Sequence, residues 1–428
     1  MAELPVAARS ARSARERLIG AALPVKLDRS MAPAEVQAWL ADALPGLAAE
    51  LGERTSVRDL LPRWQLLSAL GRTDLVLARL LEGHLDALAI LDEAGREAVP
   101  GALYGVWASA SGGTGLTLRN RTATSGTVKS ADNDCSGPPA STVPGGFDVN
   151  RQEGGPGRPE RGGFDVNRQE GGPGGPDERA ADRSDAGVLS GLMRFCSGAP
   201  LLDRALTTAR DEADALHLFD IGVRDPRLRA VPGSWPALGM DASASLDVEV
   251  QALPIDAASV VGGPGFYVER SGLHLGGMGV AAVWLGGLQG LLDATLRVLG
   301  QRQPDEHGLA HLGAVSVALE SAAATLVSAA QRLSSVPADA DTGLCDLPSA
   351  ELGRTALICR SAVESAVGVG VQRLPRVVGP VALGRDGDFA HRLADLEVFV
   401  RQHHGERDLA RLGTAEYAEP WSAGPVAG

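Results

Sequence analysis

The stretch GLMRFCSGAPLLDRALTTA, residues 191–209, carries the residue types that a planar ring would need around it. Its pattern predicts a strand with an aromatic Phe195, a thiol Cys196 and a hydroxyl Ser197, followed by a Gly-Ala kink and a second strand. An aromatic plane beside a hydroxyl and free backbone amides suits a flat heterocycle that forms hydrogen bonds. The alternative interpretation is an ordinary strand with mixed sides.

A second polar group lies in RQHHGERDLARLG, which brings His403, His404, Glu406 and Asp408 close together. These side chains could supply a general base or metal ligands. Their spacing matches no zinc motif, so we predict no metal site. On a helix His404 and Asp408 would share one face, and a solvated or interhelical polar face is the alternative.

The segment GGMGVA has the G-x-G-x-x-A spacing of a dinucleotide-binding turn, with Gly277, Gly279 and Ala282 at the three positions. Such a unit must return to a parallel strand. Only helical patterns follow in the sequence. We therefore interpret these small residues as positions of close helix packing.

The residues that precede these groups have a helical pattern. A flexible tail is predicted over 1–30. The segment APAEVQAWLADAL has Pro33 at its first helical position, and DLLPRWQLLSALG ends on Gly71, which are typical helix start and stop signals. The next segment spaces its leucines along one helical face, at Leu75, Leu77, Leu80, Leu81, Leu85, Leu88 and Leu91. Residues 31–100 are predicted to form an N-terminal helical domain.

Short strand-like runs follow over 101–272, namely LYGVWAS, GLTL, RALTTA, ALHLFDI, LDVEV and YVER. They predict a middle domain built as an antiparallel β-barrel. Residues 119–187 interrupt it with a low-complexity insertion that contains GGFDVNRQEGGPG twice, at 145–157 and 162–174. Because the insertion has almost no apolar residues, we predict a disordered surface loop.

The chain from 273 to 428 is predicted to form a C-terminal domain like a four-helix bundle, which makes the fold class α+β. Two of its helices are expected at about Glu351–Leu374 and Asp388–Leu412. The uncharged segment Gly272–Leu292 is long enough to cross a bilayer. Its many glycines favour a helix buried in the bundle over a membrane anchor.

Composition narrows the classes of partner. The 428 residues are 44% hydrophobic with a formal charge of −13, and the basic residues are scattered. These values argue against nucleic acid or membrane and favour a small molecule or another subunit as the partner. The four cysteines form no C-x-x-C pair, which fits a reducing cytoplasm.

Several segments of the sequence, taken in order, resemble segments of the acyl-CoA dehydrogenase superfamily of flavoproteins. LGRTDLVLARLLEGHLDAL resembles part of its N-terminal helical domain, and LYGVWASASGGTG its first strand and turn at the flavin. LSGLMRFCSGAPLLDRALTTA resembles the family's Gly-x-Lys-x-aromatic-x-Ser/Thr run, and SWPALGMDASASLDVEVQALPI the strand pair that closes the β domain. The resemblance covers most of residues 32–412.

The resemblance implies bound FAD and an oxidoreductase that oxidises the CH–CH bond of an acyl thioester, with hydride transfer to flavin N5. It implies that Phe195 stacks on the flavin and that Ser197 hydrogen-bonds its N5 edge. The full set of expected cofactor contacts is Trp107, Ala108, Ser109, Phe195, Cys196 and Ser197. A homodimer or homotetramer is implied as well.

The sequence departs from the family at the position of the Lys, which is Met193 here, and it lacks the Glu-Gly-Thr phrase that carries the base. We expect Glu406 to act as the base, with His404, Asp388 and Glu364 as further candidates. Two alternatives stay open: a flavin-dependent monooxygenase of the same fold, and a scaffold that has lost its flavin and only assembles with partners.

Overall fold

The computed structural model describes residues 13–25, 28, 31–52, 59–108, 115–119, 185–339 and 344–418. Both copies of the GGFDVNRQEGGPG repeat lie outside these residues, as does Ser109. The prediction of a disordered loop therefore remains a prediction.

The helices described in the N-terminal part are α1 (Ala14–Leu18), α2 (Pro33–Gly52), α3 (Leu60–Thr73) and α4 (Leu75–Glu93). The Asp74 carboxylate caps α4 by accepting from the backbone N–H groups of Val76 and Leu77. The leucine-rich face of α4 is buried, as its spacing predicts. Helices α2, α3 and α4 lie within residues 31–100, the range predicted to be helical. The flexible tail predicted over 1–30 is wrong for α1, because its Ala14 and Leu18 side chains are buried in the core.

In the part of the chain that the structure describes, eight strands form one sheet. They are β1 (Tyr104–Trp107), β2 (Gly115–Arg119), β3 (Asp185–Cys196), β4 (Arg204–Arg210), β5 (Leu216–Gly222), β6 (Leu228–Ala230), β7 (Leu246–Asp256) and β8 (Val260–Val261). Their order is β6-β7-β3-β2-β4-β5-β8. β1 lies outside this path and pairs with the first half of β4. β2 pairs with the end of β4, on the same edge as β1.

The expected antiparallel barrel is not supported. β4 runs parallel to both β1 and β2, so the sheet is mixed. In the described part of the chain the outermost strands, β6 and β8, do not pair with each other, and the sheet stays open. These strands have three and two residues, which is too short to provide the continuous ladder that closure requires.

The segment YVER is also not a strand, because Phe266–Glu269 forms the short helix α5. Gly265 begins this helix with φ +81°, a backbone conformation that favours glycine. Four residues are too few for a hydrophobic period to separate helix from strand.

The C-terminal helices are α6 (Gly272–Leu299), α7 (Glu306–Ser334), α8 (Ser349–Val378), α9 (Pro380–Arg385), α10 (Gly387–Phe399) and α11 (Glu406–Ala418). α6 lies at their centre and packs against α3, α4, α7, α8 and α10. Helices α6 and α7 are both long and apolar enough to cross a membrane. The apolar part of α6 is 89% buried within the protein, which is the environment of a core helix.

The contact between α3 and α6 requires small residues on both helices. A Cβ at Gly286 would overlap the carbonyl group of Ser68, and one at Gly71 would overlap the carbonyl of Val283. A Cβ at Gly279 would lie 2.9 Å from the Leu67 side chain, which is closer than ordinary van der Waals contact. These contacts agree with close packing, and not cofactor binding, as the role of the glycines in this helix.

The single helix expected from Asp388 to Leu412 is broken. A 3₁₀ turn over Val400–Gln402 follows α10, and Gly405 has φ +55° before α11 begins. The Asp408 carboxylate accepts a hydrogen bond from the backbone N–H of His404 at 3.1 Å, which stabilises the break. The break determines where the predicted His and Glu side chains lie.

Candidate active site

One cavity of about 760 Å³ lies between α4, the sheet and the end of α10. Aromatic and apolar side chains form much of its wall, and charged groups from α4 and from the turn after α10 complete it. The lining residues include Arg79, Glu82, Asp86, Trp107, Ala108, Phe195, Ser197, Met240, Ser245, Tyr267, Arg360 and His404. A volume of this size suits a drug-sized or cofactor-sized ligand.

Phe195 presents its ring to the cavity because a β-bulge interrupts β3. The pairing of β3 with β7 shifts register between Met193 and Cys196, and Phe195 has φ +60°. As a result Met193 and Cys196 are both buried, while Phe195 stays 49% exposed. A left-handed backbone at a bulky residue costs about 1–3 kcal/mol and persists where the surroundings hold it. The apolar ring face is thus available to a ligand.

Trp107 and Ala108 form the adjoining wall at the end of β1. The Trp107 indole Nε1–H donates to the backbone carbonyl of Ser197 at 3.1 Å. The Thr207 hydroxyl donates to the carbonyl of Trp107 at 3.0 Å. The first bond holds the end of β1 beside Ser197, which follows β3, and the second holds it against β4.

A row of three buried hydroxyls leads away from the cavity. Ser197 Oγ lies 2.9 Å from Ser245 Oγ, and Ser245 Oγ lies 2.8 Å from Ser243 Oγ. The Ser243 hydroxyl then donates to the backbone carbonyl of Met240 at 2.6 Å. Ser197 and Ser245 line the cavity, so the row connects the cavity to the loop before β7.

That loop is held against α10 by the Asp395 carboxylate and is braced internally by Asp241. The Asp395 carboxylate accepts from the backbone N–H of Met240 at 2.5 Å, and Asp241 accepts from that of Ala242 at 2.7 Å. His391 completes a group in which one ligand-type atom of each side chain lies within 4.8 Å of the others. Because Asp395 and Asp241 already bind backbone N–H groups, we interpret this group as an anchor for the loop.

Charged residues of α4 occupy another part of the cavity. Glu82 is 6% exposed, and its carboxylate pairs with the Arg79 guanidinium at 2.8 Å. Burial raises the pKa of Glu82, and Asp86 one turn further on raises it too, while Arg79 opposes them. The cavity therefore contains a carboxylate that holds its proton to a higher pH than an exposed one.

Tyr267 and Arg270 lie next to these carboxylates. Burial raises the pKa of Tyr267 to about 12, and the negative charge of Asp86 adds to this shift. Arg270 bridges α5 to α4 through Glu93 at 3.1 Å, with Asp86 at 4.0 Å. This network fixes the side chains that α4 presents to the cavity.

The turn after α10 brings one of the predicted histidines to the cavity. His404 lines it, with Nδ1 3.4 Å from Asp408. His403 is buried instead, accepts the Gly405 N–H at Nδ1 and contacts the Ser361 hydroxyl through Nε2. Burial lowers the pKa of His403, so its ring favours the neutral form.

The sequence-predicted contacts fall into two groups. Trp107, Ala108, Phe195, Ser197 and His404 line the same cavity. The side chains of Cys196 and Glu406 do not line it: Cys196 lies in the hydrophobic core, where burial raises the pKa of its thiol, and Glu406 is exposed at the start of α11.

The remaining predicted bases, Asp388 and Glu364, do not line the cavity and lie against arginines. Asp388 contacts Arg297 at 2.8 Å and Arg392 at 3.0 Å, while Glu364 lies 3.6 Å from Arg401. Sequence reasoning missed Glu82 and Asp86. The sequence does contain a pattern that indicates them. Arg79, Glu82 and Asp86 follow one another at steps of three and four, which places them on one face of a helix that is otherwise rich in leucine.

No family model and no curated protein matches the sequence. Solved structures do match. The chain is similar to TdsC of Paenibacillus sp. A11-2 in complex with FMN and indole, with a TM-score of 0.62 and 15% identity over 89% of this chain and 91% of that chain. It is also similar to KijD3 in complex with FMN and a dTDP-linked amino keto sugar, with a TM-score of 0.61 and 20% identity over 91% and 90% of the two chains.

Butyryl-CoA dehydrogenase from Megasphaera elsdenii matches with a TM-score of 0.57 and 15% identity, over 84% of this chain and 82% of that one. At such low identities these similarities concern the fold. They confirm the resemblance in fold that several segments of the sequence indicate, although the middle part is an open sheet and not the expected barrel. The chain has the acyl-CoA dehydrogenase fold.

Proposed function

We propose that the protein is a flavin-dependent oxidoreductase that acts on a small organic substrate in the cavity described above. The observation that carries this proposal is the half-exposed ring of Phe195, held by a strained bulge beside the Ser197 hydroxyl. The ring packs edge-on against that of Trp235, with 6.2 Å between the ring centroids, and a planar cofactor would cover its exposed surface.

The residues present fit an isoalloxazine ring. Phe195 offers an apolar plane, Trp107 and Ala108 offer an adjoining wall, and Ser197 and Ser245 offer hydroxyl oxygens at the edge. A bound flavin would supply hydride acceptance or the activation of O₂. FAD is our expectation from the sequence, and the FMN complexes of TdsC and KijD3 make FMN the second cofactor to test.

Glu82 replaces Glu406 as our candidate for the proton acceptor. It lines the cavity, it is buried, and its pKa is raised, which brings a carboxyl closer to the range where it can exchange protons at neutral pH. Arg79 holds the carboxylate in place. His404 lines the cavity too and is the candidate for a second proton-transfer group.

The leading reaction is oxidation of the CH–CH bond of an acyl thioester, for which a buried carboxylate such as Glu82 would take the proton. The second candidate is monooxygenation. It is favoured by the similarity to TdsC, a dibenzothiophene monooxygenase, and by the aromatic wall of the cavity. Both reactions use the same flavin position.

Titration of the purified protein with FAD and FMN, followed by flavin absorbance and fluorescence, tests the proposal. We expect saturable binding of at least one flavin. Anaerobic bleaching of the bound flavin by acyl-CoAs would support dehydrogenation, and product formation from externally reduced flavin with O₂ would support monooxygenation. Lack of binding by either flavin would contradict the proposal and support the alternative of a scaffold.

A further inference from the structure

Ser197 and Ser245 line the cavity and form a hydrogen-bonded row with the buried Ser243. The direction of this row follows from its last bond. Ser243 Oγ lies 2.6 Å from the carbonyl oxygen of Met240. A carbonyl has no proton, so the Ser243 hydroxyl must donate. This carbonyl also accepts from Trp235 Nε1 at 2.9 Å and from the Ser243 N–H at 3.1 Å, but two oxygens at 2.6 Å still need a proton between them.

The remaining protons are assigned one after another. A hydroxyl carries a single proton, and that of Ser243 is used on Met240. Ser245 must therefore donate to Ser243 across 2.8 Å, and Ser197 must donate to Ser245 across 2.9 Å. Toward the cavity, the oxygens of Ser197 and Ser245 have only lone pairs left.

Reversal of the row is unfavourable. Suppose that Ser197 turned its proton into the cavity. Two protons would then remain for three contacts, and one of the two contacts between serines would have no proton, unless Ser243 stopped donating to Met240. Ser197 is 9% exposed, Ser245 5% and Ser243 fully buried, so water is poorly placed to replace the lost bond. A buried hydroxyl without its partner is costly.

We infer that Ser243 and Ser245 are positioning residues that make Ser197 a hydrogen-bond acceptor toward the cavity, so that the site selects ligands with an N–H group at this point. The inference rests on the proposed function for the identity of that ligand. A flavin carries a proton on N5 only when it is reduced, whereas oxidised N5 is an acceptor. The row therefore favours reduced over oxidised flavin.

The test compares anaerobic binding of oxidised FMN or FAD with binding of the same flavin after dithionite reduction. The wild type, Ser243→Ala and Ser245→Ala are titrated in both states. Each substitution frees the Ser197 proton to donate into the cavity, so the preference for the reduced form should fall by about three- to tenfold, the worth of one hydrogen bond. For a two-electron couple this lowers the flavin reduction potential by about 15–30 mV.

Ser234→Ala is the matched control. Its hydroxyl also donates to a backbone carbonyl, that of Val231 at 2.7 Å, in the segment that leads to the same loop, but Ser234 does not line the cavity. The Ser234→Ala variant should keep the wild-type ratio of affinities for reduced and oxidised flavin. A merely structural role of Ser243 would weaken both flavin states equally, and melting curves verify that each variant is folded.

The outcomes separate the two proposals. If the wild type binds neither flavin state, the proposed function fails and this inference fails with it. If the ratio of the affinities for reduced and oxidised flavin is the same in the wild type, Ser243→Ala and Ser245→Ala, the inference alone is overturned. If only one variant folds, its ratio decides, because each substitution breaks the row by itself.

Discussion

Glu82 is the residue whose placement changes the chemical expectation most. Its carboxylate lies in the cavity with a raised pKa, whereas Glu406, the base expected from sequence, is exposed on α11. The difference arises because the chain breaks after α10, and the new helix turns Glu406 to solvent. At this scale, two titrating residues of α4 lead to testable predictions.

Replacement of Glu82 by Gln removes the proton acceptor while it keeps the shape and a hydrogen-bond acceptor for Arg79. We expect turnover to fall at least about 100-fold, the usual worth of a general base, with flavin binding retained. Wild-type turnover should rise with pH as Glu82 ionises, at a pH above the ordinary carboxyl range because burial raises its pKa. Asp92→Asn, on the exposed side of α4, is the control, and unchanged turnover in Glu82→Gln would contradict the role.

His84 should make the protein sensitive to acid. Burial lowers the pKa of this residue to about 4. Its Nδ1 accepts the Tyr104 N–H at 3.1 Å. The unfolded chain binds a proton at His84 near pH 6.5 and the folded protein does not, so stability is full above that pH and is lost as pH falls toward about 4.

The loss from this group is up to about 3 kcal/mol for a shift of this size. In His84→Gln, which keeps an acceptor for Tyr104, the free energy of unfolding should vary less with pH between 6.5 and 4. Urea unfolding at several pH values measures it. An identical pH dependence in the variant and the wild type would show that His84 does not titrate in this way.

At the scale of elements, the contact of α3 with α6 is the tightest constraint on the framework of the site. Gly286→Ala would place a methyl group against the backbone carbonyl of Ser68, where neither helix backbone can yield easily. We expect a loss of about 1–3 kcal/mol or more in the free energy of unfolding, as for other overpacked cores. Chemical denaturation measures this loss.

Gly313→Ala is its matched control, because Gly313 also lies inside a helix but has open space where the added methyl group would lie. That substitution should stabilise the protein by up to about 1 kcal/mol through helix propensity. Equal effects of the two substitutions would mean that the packing of α6 on α3 is not what requires glycine.

Most helices could be predicted because their hydrophobic period extends over many residues, as in α4 with its leucines. The open, mixed sheet could not, since strand order depends on contacts between distant segments. The same holds for Phe195 and Cys196: alternation assigns their faces, but the bulge opposite β7 reassigns them. Such a bulge has no pattern of its own in the sequence.

At the scale of the whole molecule, the repeated segment between β2 and β3 should be dispensable. β2 and β3 pair antiparallel with Arg119 opposite Val188, so the two ends of the intervening chain lie on neighbouring strands and a short connection can join them. Deletion of residues Pro138–Asp177 should leave the melting temperature within about 2 °C and flavin affinity unchanged. A collapse of either would assign the segment a part in the fold or the site.

The most direct measurement is flavin affinity in the double variant Phe195→Ala/Ser197→Ala, with Tyr417→Ala as a control for loss of an exposed aromatic outside the cavity. Loss of the stacking plane and of one hydrogen bond should weaken binding roughly 5- to 150-fold, while the control keeps wild-type affinity. A double variant that stays folded and binds FAD and FMN as the wild type does would contradict the assignment of this cavity as the flavin site.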